Sequence, residues 1–390
     1  MDRHEFDVIR PYNEGEMKGA LNSLLSDRHF NKMCHAVAPW LPRVVRNAVF
    51  RAAFIGVKTP LDFQLRFMKP VVKHILHKCT EGVTSDFGAL DKEGAYTFIS
   101  NHRDIVLDAA ILDLQLHLNG FRTTCEIAIG DNLLIYPWIE TLVKMNKAFV
   151  VRRSLAGKDR LEGSRLMSRY MHYAINQKRE NIWIAQREGR AKDSSDETQY
   201  SLLRMLNLGG DSANTKENLS RLNIVPLTIS YEYDPCDYLK ATEFQLKRDN
   251  PDWKKSKQDD LDNMRTGIFG KKGRVAYVAG QPLNDILYTM PDGEFTKEMY
   301  ISLAADVDKV IHAGYVLFPG NYVALDILSG TEDFSAHYTA ADKQTFISYI
   351  EGQLKKVRLE HPDRDFLMER MLTMYANPVR NKMKALQSTD

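Results

Sequence analysis

The sequence lacks long apolar runs, which limits how the protein can meet a membrane. No stretch of the chain approaches the ~18 consecutive apolar residues that a membrane-spanning helix needs. Residues 1–16 are charged and carry no apolar segment of about 7 to 15 residues, so we expect no secretory leader. The sequence therefore predicts a protein that spans no membrane.

Cysteine is also scarce, and the few cysteines are far apart in the chain. The four cysteines are Cys34, Cys79, Cys125 and Cys236. Structural zinc sites and dithiol redox sites use closely spaced cysteines, so neither kind of site is available from these residues. We expect reduced, buried thiols in a cytoplasmic protein, and we predict no metal site.

Two patterns that mark common enzyme classes are missing as well. The chain has no G-x-S-x-G turn, which serine hydrolases use to present their nucleophile. It has no glycine-rich phosphate loop either, so the triplet His102-Arg103-Asp104, which protein kinases share, does not indicate a kinase.

Charge of one sign is not in excess. The chain carries 53 lysines and arginines against 51 aspartates and glutamates, a net charge of +2. Proteins dedicated to nucleic acids have a clear basic excess, so we predict no nucleic-acid partner.

Basic residues do concentrate in two N-terminal segments, residues 38–57 and 63–78. Both segments mix apolar residues with arginines and lysines at helical spacing. Such a helix can pack its apolar face on the protein's own core. It can also lie on an anionic bilayer, where each Lys or Arg adds about 1 kcal/mol. Two consecutive helices of this type raise the second possibility, so we predict peripheral binding to an anionic membrane surface on the cytoplasmic face.

The middle of the chain alternates short β-rich runs with helical patterns. The β-rich runs are residues 95–100, 125–130, 148–151, 181–185, 224–230 and 274–278. This alternation is typical of an α/β fold with mostly parallel strands. We predict a mixed, mostly parallel central sheet flanked by helices, with helical extensions at both ends.

The same patterns divide the chain into three predicted regions. Residues 1–85 form a helical, basic N-terminal region, residues 86–290 the α/β domain, and residues 291–390 a helical C-terminal region. Two polar stretches, residues 193–199 and 249–262, are predicted to be long surface loops, and the second offers little to bury.

The stretch from Tyr96 to Asp108 predicts a strand, a loop and the start of a helix, with His102 in the loop. An imidazole titrates near neutrality and can take a proton from a hydroxyl group. Asp104 or Asp108 could orient it. If Asp104 caps a helix that begins near Ile105, the side chain of Asp108 leans back toward the loop. The alternative is a surface histidine followed by two aspartates that only cap the helix.

Two further strands are predicted to end in arginines. Residues 147–154 run from a strand into Arg152 and Arg153, and paired guanidinium groups suit a phosphate. Residues 182–190 end in Glu188, Gly189 and Arg190, where glycine lets the backbone approach a ligand and the glutamate can hold neighbouring arginines by hydrogen bonds. Solvated surface charge is an equally common role for such residues.

A fourth stretch, residues 224–231, reads as a buried strand whose Pro226 should lie at a sheet edge or a bulge. The four motifs, in this order within residues 96–231, resemble those of the glycerolipid acyltransferase family. That family includes glycerol-3-phosphate and 1-acylglycerol-3-phosphate O-acyltransferases. Residues 273–283 also look like the family's next strand. Two departures stand out: five residues separate His102 from Asp108 where the family usually has four, and the usual spacer residue before Arg190 is missing.

The resemblance implies transfer of an acyl chain from a thioester of coenzyme A or acyl carrier protein, without a cofactor. The acceptor would be a hydroxyl of glycerol phosphate or lysophosphatidic acid, as in phospholipid synthesis. On this basis we assign His102 as general base and Asp108 as its orienting partner, with Asp104 as the second candidate.

The resemblance also implies how the acceptor is held. Arg153 and Arg190 would bind its phosphate, and Arg152, Glu188 and Gly189 would support them. Two alternatives stay open: acylation of another lysolipid, such as one that contains an amino acid, and a non-catalytic membrane-binding protein with the same fold.

Overall fold

A seven-stranded mixed sheet organises the part of the chain that the computed structural model describes, which is residues 3–37, 40, 42–88 and 90–387. The strand order is β1-β7-β6-β2-β5-β3-β4. The pair β6–β7 is antiparallel and the other neighbouring pairs are parallel. The strands are β1 (Thr80–Asp86), β2 (Thr97–Ser100), β3 (Cys125–Gly130), β4 (Ala148–Val151), β5 (Asn181–Ala185), β6 (Ile224–Tyr231) and β7 (Gly273–Ala279). The predicted fold class is confirmed.

Helices flank this sheet and form both ends of the described chain. They are α1 (Met17–Ser26), α2 (Arg28–Val37), α3 (Arg43–Ala53), α4 (Pro60–Phe63), α5 (Lys69–Cys79), α6 (Leu107–Leu118), α7 (Pro137–Met145), α8 (Gly157–Tyr173), α9 (Tyr200–Asn207), α10 (Thr215–Ser220), α11 (Asp237–Asp249), α12 (Lys257–Phe269), α13 (Asn284–Thr289), α14 (Lys297–Ala313), α15 (Pro319–Ser329), α16 (Ala340–Leu354) and α17 (Arg364–Gln387). A wide turn, Gln64–Met68, joins α4 to α5, and a second, Ala174–Lys178, follows α8. Among the residues with described positions, no helix is long and apolar enough to cross a bilayer.

Alternate residues of the central strands enter two apolar layers on opposite faces of the sheet. Ile99 and Ile182 join the layer formed with α8, α9 and α14. Phe98 and Trp183 join the layer formed with α5 and α6. The N-terminal and C-terminal helices each add an apolar cluster of their own. The four cysteines are free and buried, as predicted.

The first strand was missed by the sequence analysis. Residues 80–85 were assigned to the helical N-terminal region, but together with Asp86 they form β1, which pairs in parallel with β7. The strand lies at the sheet edge, mostly exposed, so its sequence needs no apolar alternation. Its ladder is also interrupted between Thr80 and Gly82, and Gly82 has φ 127°. These features remove the periodic pattern by which a strand is recognised.

Both predicted surface loops need correction. Residues 193–199 form a loop, but Ser194 and Asp196 within it are buried. Residues 249–262 are not one loop, because α11 extends to Asp249 and α12 begins at Lys257. The Ser256 hydroxyl accepts a hydrogen bond from the Asp259 N–H, so a capping box starts a helix whose composition alone looked disordered.

Pro226 lies at neither a sheet edge nor a bulge, contrary to the prediction. It pairs with Ile99 in the central β6–β2 ladder. On the other side of β6, the antiparallel ladder with β7 starts one residue later, at Leu227. The Pro226 carbonyl still accepts a hydrogen bond from the Gly280 N–H, at 2.8 Å. The missing N–H of proline therefore falls at the end of a ladder, where it interrupts no bond between paired strand residues.

Candidate active site

The loop after β2 carries His102 and turns it toward the first turn of α6. His102 Nδ1 lies 2.8 Å from Asp108 Oδ2. Helical side chains lean toward the N-terminus of their helix, which brings Asp108 back to the loop. The structure thus brings His102 together with Asp108, the aspartate that was assigned as its orienting partner. Among the described residues, none hydrogen-bonds His102 Nε2, and the side chain lines a large cavity.

The carboxylate of Asp108 is fully buried and accepts hydrogen bonds from several directions. Oδ2 also accepts the backbone N–H groups of Arg103, at 2.6 Å, and Asp104, at 3.0 Å. Oδ1 accepts the Tyr231 hydroxyl at 3.0 Å. These donors fix the orientation of the carboxylate, and the carboxylate in turn fixes the imidazole ring. Tyr231 was part of the fourth motif, but nothing in its spacing revealed this contact.

Asp104 has a separate structural task. Its Oδ1 accepts the backbone N–H groups of Val106, at 2.9 Å, and Leu107, at 2.8 Å. The predicted capping role is therefore present, although α6 begins at Leu107, two residues later than expected. Burial, and then the charge of Asp108, raises the pKa of Asp104. A buried carboxyl with a raised pKa is suited to hold a helix start and less suited to pair with an imidazolium.

The ring of Trp183 packs edge-on against His102, with ring centroids 5.5 Å apart. Its Nε1–H donates to Ser100 Oγ at 3.0 Å. The indole is therefore held by the strand that carries the histidine loop. Because Trp183 closes one side of the imidazole, it limits the ring positions that His102 can adopt.

Arg103, next to the histidine, takes part in a buried ion pair that the sequence analysis did not find. Its Nη2 lies 2.6 Å from Asp196 Oδ2, and its Nη1 donates to Ser194 Oγ at 2.8 Å. The hydroxyl of Tyr315 also donates to Asp196 Oδ2, at 2.5 Å. The first motif, which is one residue longer than usual, thus contains Arg103, whose side chain anchors the His102 loop to residues 193–199.

Helix α17 in turn holds the loop formed by residues 193–199. Asn377 Nδ2 donates to the carbonyl of Asp193 at 2.7 Å. Asn381 Nδ2 donates to the carbonyls of Ser194 and Ser195, at 3.2 and 3.1 Å. A continuous set of polar contacts therefore runs from α17 through residues 193–196 to Arg103, which is the residue next to His102.

The cavity in front of His102 has a volume of about 1520 Å³. It lies at the carboxyl ends of β2, β3, β4 and β5, where parallel strands commonly place their ligands. Arg152, Arg153, Glu188, Gly189 and Arg190 all line it, as the sequence predicted for a shared site. Apolar side chains cover a large part of its wall: Met33, Met68, Ile105, Val106, Ile127, Ile129, Leu133, Tyr136, Trp138, Ile139, Leu142 and Val143.

Arg153 is held loosely. Its Nη1 lies 3.6 Å from Glu188 Oε1, and both side chains are substantially exposed, 35% and 60%. Its backbone N–H donates to Asp131 Oδ1 at 3.0 Å, which fixes the main chain and leaves the guanidinium adjustable. Arg152 is exposed beside it. Gly189 has φ 72°, a conformation that favours glycine.

Arg190 has different partners. Its Nη2 donates to Asn263 Oδ1 of α12 at 2.8 Å, and its buried Nη1 has no partner among the described residues. Burial lowers the pKa of Arg190, but Cys236, Asp234 and Asp104 more than offset it and the pKa is raised. Arg153 and Arg190 therefore line the same cavity but are held by different neighbouring residues.

Helix α3 exposes an apolar surface next to this site's N-terminal wall. Within the predicted segment 38–57, residues 38, 39 and 41 lie outside the described residues. The exposed apolar side chains, called here the N-terminal apolar surface, are Trp40, Val44, Val45, Val49 and Ile55. Val44 is 81% exposed, whereas Arg46 is buried and its Nη2 donates to Asn31 Oδ1 at 2.8 Å. The helix thus turns one arginine inward and several valines outward.

Comparison with known proteins supports the class of enzyme. Residues 84–230 match the family model described as Acyltransferase. This segment covers all but the last residue of the stretch that carries the four motifs, so the predicted resemblance is confirmed at the level of an acyltransferase. No curated protein matches the chain.

Among solved structures, the chain is similar to the 1-acyl-sn-glycerophosphate (LPA) acyltransferase PlsC from Thermotoga maritima. The identity is 12% and the TM-score 0.35, with 76% of this chain and 94% of that chain covered.

Proposed function

We propose that this acyltransferase moves a fatty acyl chain from a thioester donor to a hydroxyl group of a glycerol phosphate or lysophosphatidic acid acceptor. The observation that carries the proposal is the contact between His102 and the buried Asp108 at the wall of a large, partly apolar cavity. Its place in a matched acyltransferase segment supports the reaction class.

The proposed chemistry uses His102 as general base. Its Nε2 takes the proton of the acceptor hydroxyl while the oxygen attacks the thioester carbonyl carbon. Asp108 holds the Nδ1–H and balances the positive charge that the imidazole gains. When the carbon–sulfur bond breaks, the thiolate leaves and takes the proton from the imidazolium. The products are an ester and a free thiol, and neither a metal nor a covalent acyl-enzyme takes part.

Arg153 and Arg190 are the proposed ligands of the acceptor's phosphate. Arg153 can leave Glu188, because that pair is long and exposed and such pairs contribute little. Arg190 lines the cavity, and its buried Nη1 has no partner among the described residues. Glu188 would hold Arg153 before the acceptor binds, Arg152 would add positive charge beside it, and the backbone at Gly189 would allow close approach.

The size and lining of the cavity fit two substrates better than one. Pockets for single small ligands are usually about 300 to 1,000 Å³, and this cavity holds about 1520 Å³. We assign the apolar wall near Trp138 and Leu142 to the acyl chain. The acyl chain would then extend away from His102 toward the N-terminal helices.

The N-terminal apolar surface supports peripheral membrane binding as part of the proposal. Exposed apolar patches on soluble proteins mark binding sites, and acyl chains and lysolipids reside in bilayers. In α3 the valines Val44, Val45 and Val49 are exposed together with Arg43 and Arg51, so both apolar and basic side chains of this helix could contact the lipid. We also propose a cytoplasmic location for the protein, which rests only on the sequence.

A panel assay tests the proposed function. The purified protein is incubated with acyl-coenzyme A and acyl carrier protein donors and with phosphorylated and amino-acid-containing lysolipids, and products are identified by mass spectrometry. Acylation of glycerol phosphate or lysophosphatidic acid supports the proposal. If only an unphosphorylated lysolipid is acylated and glycerol 3-phosphate does not compete, the arginines bind a carboxylate instead. If no acceptor is acylated by any donor, the non-catalytic alternative stands.

A further inference from the structure

A second group of cations lines the cavity apart from Arg153. Ten arginines and lysines line the cavity against four aspartates and glutamates. Arg153 enters from the end of β4, which lies at one side of the sheet. Lys192 contacts Glu243 of α11, and Lys255 contacts Asp260 of α12. Among the described residues no contact joins either lysine to Arg153, so different elements hold the two sets of cations.

The second group, called here the lysine cluster, consists of Lys192, Lys247 and Lys255. Glu243 contacts both Lys192 and Lys247, the latter at 3.1 Å. Asp260 contacts Lys255. Three lysines therefore share two carboxylates, so these two acidic neighbours cannot neutralise the cluster when all three lysines are protonated.

Two of the three lysines line the cavity, whereas Lys247 is 50% exposed and does not. The side chains of Lys192 and Lys255 are only 29% and 27% exposed, and both line the cavity. Burial, followed by the charges of Lys247, Lys255 and Arg190, lowers the pKa of Lys192 to about 7. Ammonium groups crowded in a concave site are stabilised by an added anion of multiple charge.

We propose that the lysine cluster binds the phosphate groups of a coenzyme A donor. The inference rests on the acyl transfer proposed above and assigns its donor. The pantetheine arm separates the phosphates of coenzyme A from the thioester, so cations that line the same cavity but share no described contact with His102 suit that donor. An acyl carrier protein would dock its folded domain outside the cavity, whereas Lys192 and Lys255 lie in the cavity wall.

The test removes two charges and measures binding without turnover. Calorimetry with free coenzyme A compares the wild type with the double variant Lys192→Gln/Lys255→Gln. Glu243 keeps Lys247 as a partner in this variant, and the amide introduced at position 255 can still donate a hydrogen bond to Asp260. Lys343→Gln/Lys355→Gln, which removes two lysines outside the cavity, is the matched control. The dissociation constant should rise on the order of 10-fold or more in the first variant, since each lost contact to a charged group is worth at least that much.

Turnover assays identify which part of the donor is recognised. With acyl-coenzyme A, the donor KM should rise in Lys192→Gln/Lys255→Gln and the acceptor KM should not. With the matching acyl-pantetheine, which lacks the nucleotide, wild type and variant should have equal KM values. Equal affinity of coenzyme A for wild type and variant would overturn the inference, as would a donor KM that rises only for acyl carrier protein. Because coenzyme A binding is measured without an acceptor, the result stands apart from the success of the acyl-transfer assay.

Discussion

The two sides of His102 are built in opposite ways. Behind the ring, Asp108 is fully buried and accepts hydrogen bonds from the imidazole, from two backbone N–H groups and from Tyr231. In front of it, Arg153 and Glu188 are exposed and 3.6 Å apart. In the proposed reaction, rigid contacts behind His102 would keep the imidazole in place for proton transfer, and adjustable side chains in front would rearrange around a charged substrate. Changes behind the ring should therefore lower kcat, and changes in front should raise KM.

The largest effect should come from the base itself. We expect His102→Ala to lower kcat by about 10²- to 10⁴-fold, which is the usual contribution of a positioned base. Steady-state kinetics with saturating substrates measure it, with His361→Ala, an exposed histidine outside the cavity, as control. A folded His102→Ala protein with normal turnover would refute the proposed mechanism.

The next effect separates the two aspartates of the loop. Asp108→Asn should lower kcat on the order of 10²-fold or more, because an amide cannot balance the imidazolium. Asp104→Asn should keep most activity, since an amide oxygen can still accept the N–H groups of Val106 and Leu107. Thermal unfolding of both variants shows whether the difference is one of fold. Loss of activity in Asp104→Asn alone would exchange the two roles.

A smaller effect should follow from the ion pair behind the loop. Asp196→Asn leaves Arg103 buried without its counter-charge, and breaking such a pair costs about 3 to 5 kcal/mol of stability. We expect a lower unfolding temperature and a kcat about 10-fold lower, with both KM values unchanged. The double variant Arg103→Met/Asp196→Asn should recover part of the stability. If kcat of the folded single variant equals that of the wild type, the pair supports the fold and does not position the base.

In front of the base, Arg153→Ala should raise the acceptor KM by roughly 10-fold with little change in kcat. Arg165→Ala provides a matched control, since Arg165 pairs with Glu162 at 2.8 Å outside the cavity. The comparison is made with a phosphorylated acceptor at fixed, saturating donor. A rise in donor KM instead would place the thioester carrier at Arg153.

The smallest effect concerns the membrane. Val44→Asn/Val49→Asn should weaken binding to anionic vesicles several-fold, because each change replaces an apolar side chain that would enter the membrane interface with a polar amide. Co-sedimentation at low and high salt measures the binding, and high salt should weaken the remaining electrostatic part. Ile301→Asn, which alters an exposed residue of α14, should bind as the wild type does. If both variants behave alike, the N-terminal apolar surface does not contact lipid.

The sequence predicted those parts of the fold and site that local patterns encode. The buried strands show β-branched and apolar runs, so their positions were found to within a few residues. The pairing of His102 with Asp108 followed from helical side-chain direction, and the arginines followed from their place at strand ends. Each of these features depends on residues close together in the chain.

The parts that were missed depend on distant residues. Asp196 meets Arg103 across the fold, and no local pattern marks either as half of an ion pair. The orientation of α3 was open because an amphipathic pattern does not say which face meets the protein. The start of α12 was hidden because Ser256 and Asp259 form a cap in a stretch otherwise rich in charge.

The pairing of β1 with β7 sets when the sheet can be completed during synthesis of the chain. Thr84 and Val275, which meet across this ladder, are 191 residues apart in sequence. Contacts between residues so far apart in sequence form late, because a long loop must close, at a cost in chain entropy, before the contacts can stabilise the fold. While the ribosome still holds residues 273–279, β1 has no partner, and the edge of β6 stays open to other chains. Helix α12, which directly precedes β7, also supplies a wall of the cavity. The site is therefore completed only when most of the polypeptide has been made, and a chain that stalls earlier presents an open sheet edge in place of an enzyme.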